Sequence, residues 1–499
     1  MEVHKKTKFQ KFSESKTFQA VLLSSGKVIT MFTGMVMAAI LARLFTKVDY
    51  AAYKQTTLVY NFALPFLTLG FPSALYYFIP RNKGKERSVL TSNLILLLPI
   101  GILFVLFLWC GGSKLIANFF KNPSLNQLLL VYTPYILLSL PVASLGACLI
   151  ACKRVKTLVA YNTIFKVVSL ICIVSILILW RTPLAAISGI VISMCIMFVP
   201  ALYLMYKSTG LGNWLPTKEN MAEQINYSVP LGLSGLFGIA SLYLDKLVVG
   251  KLCPPEQFAV YINGAMQLPF ISMITGSVTA ILIPEFAGMY QRKEYSEILS
   301  LWNRAMVKCS LIIFPIMIFL FIMAPSLMRI LYSAAYEDSA IPFRIFLLLL
   351  PVKITSWGAI FMAAGKNKLF LYRSIMELFL NVGVSIIMIK KFGSIGAAFA
   401  TVLVVYLWTV TYNIHFVSKI LKTHLRMVIP VQTLLKIFIL SLLGCASYGL
   451  IWFLEPKADL IKLCLFTPLY AIITLVLFDR FKLFKIEDFI SIIKSRFNK

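Results

Sequence analysis

Lys27, Lys54, Asp245, Lys246 and Lys353 all lie inside long apolar runs. An ionisable group in hydrocarbon is costly, so each needs a partner, a route to the surface or a function. Run 50–79 places Lys54, Thr57, Asn61, Pro65, Thr68 and Pro72 at spacings of three, four and seven. Such spacing gathers a polar stripe on one helix face, with Lys54 near its outer end. The two prolines free backbone carbonyls that need water or a partner. In the first run, Ser24, Lys27, Met31, Gly34 and Ala38 share a small, polar face. There Lys27 either lines a cavity or snorkels to the headgroups. Asp245 is the one Asp well inside a run, and its neighbour Lys246 points about 100° away on a helix. The two form either a structural ion pair or a site that couples a cation or proton. Lys353 follows Pro351 in an apolar run, where burial without a path is expensive. Lys166, Lys308, Arg344, Glu377 and Lys436 are further ions inside the runs, and Arg373 with Glu377 makes an i,i+4 pair. Cations outnumber anions by roughly two to one in these segments, which suits an anionic substrate such as a phosphate.

The same residues do not assemble a catalyst. His4, His415 and His424 are the only histidines, and HExxH, GxSxG and Walker A patterns are absent. No enzyme activity, metal or cofactor is expected. The nine cysteines lie mostly in apolar runs and read as packing residues.

The elements that position these ions follow from composition. Hydrophobic residues make up 59% of the 499-residue chain and charged residues 13%. The mean hydropathy is +0.85. Soluble domains are about 45–50% apolar and about 25% charged, so a soluble enzyme and a nucleic-acid reader are excluded. The formal charge of +29 then reflects chiefly the basic residues that crowd cytoplasmic loops.

Fourteen apolar runs are expected to span the membrane, near 18–45, 50–79, 89–112, 126–151, 157–180, 183–206, 224–251, 257–288, 300–331, 338–364, 368–390, 393–418, 429–454 and 458–479. With both termini cytoplasmic, Lys and Arg favour the inner segments over the outer ones by roughly three to one. The N-terminus is a Lys-rich arm followed directly by an apolar run, so no cleaved leader is expected. Arg43–Tyr53 (RLFTKVDYAAY) matches Lys251–Tyr261 (KLCPPEQFAVY) at Leu44/Leu252, Ala51/Ala259 and Tyr53/Tyr261. An even number of spans separates the copies, so they are parallel repeats. The expected organisation is a basic arm (1–16), an N-lobe (17–206), a cytoplasmic linker (207–223), a C-lobe (224–418), two extra spans (419–480) and a basic tail (481–499). Twofold bundles of this kind place the substrate path near the midplane.

Three segments carry a resemblance. Tyr227–Phe270 (YSVPLGLSGLFGIASLYLDKLVVGKLCPPEQFAVYINGAMQLPF) resembles the seventh- and eighth-span signature of polysaccharide flippases. Leu69–Glu86 is similar to the end of their second span, and Leu380–Tyr406 to their eleventh-to-twelfth span hairpin. The chain is therefore identified as a member of the polysaccharide transporter (Wzx-type, O-antigen flippase) branch of the multidrug/oligosaccharidyl-lipid/polysaccharide (MOP) exporter superfamily. The resemblance implies an all-α membrane protein with a V-shaped pair of lobes that alternate access in the bacterial inner membrane. It implies an undecaprenyl-pyrophosphate-linked glycan as substrate, with membrane lipids and the downstream polymerisation machinery as partners and no nucleic acid. Basic residues of the first-lobe spans would bind the pyrophosphate, which carries over to Lys27 and Lys54, and Asp245 matches the family's seventh-span Asp. Asn61 and Lys353 complete the expected cavity set. The basic residues are Lys where lipid II flippases are expected to use Arg, which argues mildly against a peptidoglycan precursor. The rival reading is an ion-coupled multidrug or toxin exporter on the same fold, and the basic path speaks against it. A membrane polymerase or ligase would need a larger outer loop.

Overall fold

In hydrocarbon a backbone must satisfy its own hydrogen bonds, so apolar runs of this length become helices. The computed structural model describes residues 16–210, 212–266, 268–453 and 459–484, and it has no strand among them. The basic arm up to residue 15 and the tail beyond residue 484 lie outside the described residues. So do the side chains of Ser24, Ser234, Gly238, Ser241, Pro269 and Ser272. The described chain is an all-α membrane protein. Ten helical segments are long and apolar enough to cross a bilayer, and twelve if each of two bent pairs is one span.

The expected fourteen runs exceed this range, and two segments hold the difference. The first is Lys368–Leu421, one helical stretch of 54 residues. At 1.5 Å per residue it is more than twice as long as the ~30 Å hydrocarbon core. It breaks at Gly393 (φ 59°, ψ −149°). The Asn381 amide donates to Thr401 Oγ1, the Trp408 indole to the Arg373 carbonyl, and the Tyr412 hydroxyl to the Leu369 carbonyl. One side ascends in number as the other descends, so the stretch is an antiparallel hairpin. The second is Lys218–Leu252, a 35-residue helix that is described only in part and is not among the ten.

The chain divides into two compact units, Met1–Ala259 and Val260–Lys499. The first contains α1 (Lys16–Leu44), α2 (Lys47–Thr68), α3 (Phe71–Arg81), α4 (Glu86–Phe107), α5 (Ser124–Ala151), α6 (Val155–Leu179), α7 (Pro183–Ser208) and α8 (Lys218–Leu252). Thr46 starts α2 by accepting the Asp49 N–H at 3.1 Å. Leu75, Leu90, Leu149, Ala201 and Met205 form part of a buried core shared by α3, α4, α5 and α7.

Between α2 and α3 the chain bends by 41°. Leu69 (φ 43°) and Gly70 (φ 78°) are both left-handed there. The bend rests on the bare backbone of α8. A Cβ on Gly70 would lie 2.8 Å from the Ser228 carbonyl, and one on Gly232 would lie 2.3 Å from the Leu69 carbonyl carbon. Beside this contact, Asn93 is fully buried. Its amide donates to the Phe71 carbonyl and to Gln224 Oε1, both at 2.8 Å, and its oxygen accepts the Ser144 hydroxyl at 2.7 Å. Gln224 in turn donates to the Val89 carbonyl at 3.0 Å. Four helices thus meet on one satisfied polar cluster.

The second unit contains α9 (Pro269–Gln291), α10 (Tyr295–Tyr332), the hairpin begun by α11 (Asn367–Val404) and finished by α12 (Thr411–Leu421), then α13 (Val431–Gly444) and α14 (Asp459–Arg480). The last two helices pack on α10. The Tyr470 hydroxyl of α14 lies 3.1 Å from both the Pro315 and the Ser441 carbonyls. Arg329, near the end of α10, grips Asp459 at the start of α14 with two bonds of 2.8 and 2.7 Å, and Glu337 with one of 2.6 Å.

Two outcomes follow. Gly232→Ala drives a methyl into backbone that cannot move aside. It should cost at least about 1–3 kcal/mol, whereas Gly34→Ala, with open space around it, should be neutral or slightly stabilising. Thermal unfolding in detergent separates the two. Arg329→Met should lower stability by roughly 1.5–3 kcal/mol, and Glu337→Gln by much less because Glu337 is half exposed.

Candidate substrate site

The first unit gathers its chemistry on α2. Lys54 is half-buried, with Nζ 5.2 Å from the Tyr50 ring centroid and 6.0 Å from that of Tyr53. Such contacts stabilise a cation by about 0.5–2 kcal/mol. No described carboxylate lies within 4.0 Å of it. A cation that is partly desolvated and not neutralised is a site prepared for an anion. Asn61, two turns along the same face, is exposed. About 150° around α2, Val59, Phe62, Ala63 and Phe66 line an apolar groove of ≈ 470 Å³. The helix therefore separates a polar face from an apolar one.

Next to this face stands a cluster that sequence reasoning missed. Tyr132 and Tyr135 of α5 stack with centroids 4.7 Å apart and planes within 8°. Tyr60 of α2 meets them edge-on at 5.8 and 5.3 Å, and its hydroxyl lies 2.6 Å from Ser139 Oγ. The available signal was the spacing: Tyr53 and Tyr60 lie seven apart, and Tyr132, Tyr135 and Ser139 lie three and four apart.

The other candidates stand apart. Lys27 is exposed on α1, whose Gly26 packs on Val159 of α6. Among the described residues no hydrogen bond, ion pair or ring contact joins Lys27 to Lys54. Asp245 is 6% exposed. Lys246 curls back so that Nζ lies 3.2 Å from both carboxylate oxygens and donates to the Leu242 carbonyl at 3.0 Å. The geometry is that of an ion pair. Lys353 belongs to the second unit and is exposed on Leu350–Ile354, at a 48° break between two helical segments. Arg373 and Glu377 pair at 3.8 Å. Among the described residues no group of three or more His, Cys, Asp or Glu could hold a metal ion.

The model of the polysaccharide biosynthesis protein family matches residues 40–341, more than half of the sequence. The chain belongs to that family. The match includes Lys54, Asn61, Asp245 and Lys246 and leaves Lys27 and Lys353 outside it. No curated protein matches the sequence. Among solved structures the fold is similar to the lipid II flippase MurJ in an inward closed conformation, with a TM-score of 0.73 and 18% identity. That likeness covers 92% of this chain and 99% of the other. An inward-facing multidrug resistance MATE family transporter of the MOP superfamily gives 0.65 at 15% identity, over 81% of this chain and 99% of that one. A MOP superfamily transporter from Pyrococcus furiosus gives 0.55 at 14% identity, over 81% and 95%. This member of the polysaccharide biosynthesis protein family thus shares its fold with these flippases and transporters and is a multi-pass membrane protein.

The ion pair yields a test of its own. Lys246→Met takes the ion-pair partner from a buried carboxylate and should lower stability by up to about 3–5 kcal/mol. Adding Asp245→Asn should return part of that loss in the same thermal unfolding assay.

Proposed function

We propose that the protein is a flippase for a polyprenyl-pyrophosphate-linked oligosaccharide, such as an O-antigen, capsule or exopolysaccharide repeat unit. It would carry this substrate across the bacterial inner membrane by alternating access. The observation that carries the proposal is Lys54, a half-buried cation held by two aromatic rings and not neutralised by a nearby described carboxylate. A pyrophosphate supplies the missing charge. Membership of the polysaccharide biosynthesis family supports a glycan as the attached cargo. Lys54 and Asn61 contact the pyrophosphate from the N-lobe (17–206). Lys27 and Lys353 are the further basic residues of the proposed substrate path, the latter in the C-lobe (224–418). The largely buried tyrosine cluster of α2 and α5 stiffens the wall that carries Lys54, and Tyr135 is its partly exposed member. The linker (207–223) and both termini are cytoplasmic, and the polyprenyl tail stays in lipid by the extra spans (419–480).

A rival reading, ion-coupled export of multidrug or toxin cations, draws on the MATE likeness. Such export needs a carboxylate free to bind a cation, and Asp245 is engaged by Lys246.

The deciding assay uses proteoliposomes, a fluorescent polyprenyl-pyrophosphate glycan and a membrane-impermeant quencher. Wild type should expose label faster than empty liposomes. Lys54→Gln should slow exposure by about 10–100-fold, the kinetic equivalent of one charge-assisted hydrogen bond. Lys54→Arg should retain most of the rate. Wild type that matches empty liposomes for every glycan tried, while exporting organic cations, would overturn the proposal.

A further inference from the structure

Two cavities in the second unit lie side by side. One is polar, ≈ 700 Å³, and lies where α10 meets the loop between α12 and α13. Ser296, Ser300, Asn303, Arg426, Gln432 and Thr433 supply its polar lining, and no acidic residue lines it. The other is an apolar groove of ≈ 290 Å³ with Met306, Phe314, Trp357, Leu434 and Phe438 in its wall. Ile429 and Val431 line both, so the polar space and the apolar one adjoin.

The polar pocket is held open by its own framework. The Trp302 indole donates to the Val428 carbonyl at 3.2 Å, and the Asn303 amide to the Met427 carbonyl at 3.1 Å. These bonds pin the loop to α10 through its backbone and leave its side chains available. Asn303 spends its N–H on the loop, and its Oδ1 is buried with no hydrogen-bond partner. An acceptor left in that state calls for a donor. Arg426 stands exposed between Leu425 and Met427, which are 53% and 55% exposed. A basic residue flanked by exposed apolar ones is the pattern of a segment seated at a headgroup boundary. Lys419 in the last turn of α12 and Lys422 just after it precede Arg426. The apolar groove of the first unit serves as a contrast, because its lining residues are all apolar and include no basic residue.

We propose that this composite cavity binds an anionic phospholipid with a hydroxylated headgroup, of the phosphatidylglycerol type. The Arg426 guanidinium takes the phosphate, with the Ser296, Ser300 and Thr433 hydroxyls as further donors. Asn303 Oδ1 accepts a headgroup hydroxyl. One acyl chain follows Ile429 and Val431 into the groove against Met306 and Phe314. A polar cavity and an apolar one that share a wall match the head and tail of an amphiphile, and the positive charge selects its sign. This site is separate from the Lys54 site and stands whether or not the chain moves a glycan.

The test is thermal stability and native mass spectrometry of the full chain in neutral detergent with added lipid. Phosphatidylglycerol should raise the unfolding temperature and stay bound, while phosphatidylcholine should do neither. Glycerol phosphate, the head without a tail, should have no effect. Arg426→Ala should weaken binding by about fivefold, as expected for one basic group at an anionic headgroup. Val431→Trp, which fills the shared wall, should abolish it. Arg426 is exposed, so its variant should match wild type without lipid. Equal responses to phosphatidylglycerol and phosphatidylcholine would overturn the proposal. So would an undiminished response in both variants, or a full response to glycerol phosphate alone, which would mark a pocket for soluble anions.

Discussion

A helix that bends inside a membrane must find new partners for the backbone groups it releases, and there is no water to supply them. The 41° bend between α2 and α3 meets this constraint by resting on α8 with no side chain between them. Gly70 takes a left-handed conformation, and Gly232 removes the Cβ that would hold the backbones apart. Asn93 and Gln224 then satisfy the carbonyls of Phe71 and Val89 beside the contact. The direction of α2, and so the placement of Lys54 and Tyr60, depends on that seam.

The site on α2 shows why one helix can serve two solvents. Its polar stripe carries a cation that aromatic rings hold without neutralising. Its opposite face lines an apolar groove. An anionic headgroup and an apolar chain differ most in what they demand of their surroundings, and α2 offers both on opposite sides. Asp245 illustrates the contrary case. Its charge is met by the adjacent residue at 3.2 Å, which is the geometry of an ion pair.

Much of this was legible in the sequence. Hydropathy located the helices, and the Leu380–Tyr406 motif falls on the hairpin that turns at Gly393. The i,i+4 spacing anticipated the Arg373–Glu377 pair. The stripe on α2 was visible because its period is local. What stayed hidden joins residues far apart in the chain. The tyrosine cluster needs α2 and α5 side by side, the Asn93 network needs four helices, and Arg329 finds Asp459 across 130 residues. One sequence contains no signal for such pairings. The twofold spacing of tyrosines could have hinted at the cluster, but aromatic residues at helical intervals are ordinary in membrane spans. Nor did hydropathy show the turn at Leu69–Gly70, since run 50–79 continues through it.

The Asn93 cluster also has a timetable. Gln224 follows Asn93 by 131 residues. A ribosome adding about 5–20 residues per second takes on the order of ten seconds to reach it. During that interval α4 and then α5 are completed behind α3 while the side chain that completes their polar junction does not yet exist. The nascent first unit must wait with an unsatisfied amide in or near lipid, guarded by the insertion machinery or by transient partners. Its assembly is closed by the arrival of α8, the last helix of that unit, rather than by the helices that come first.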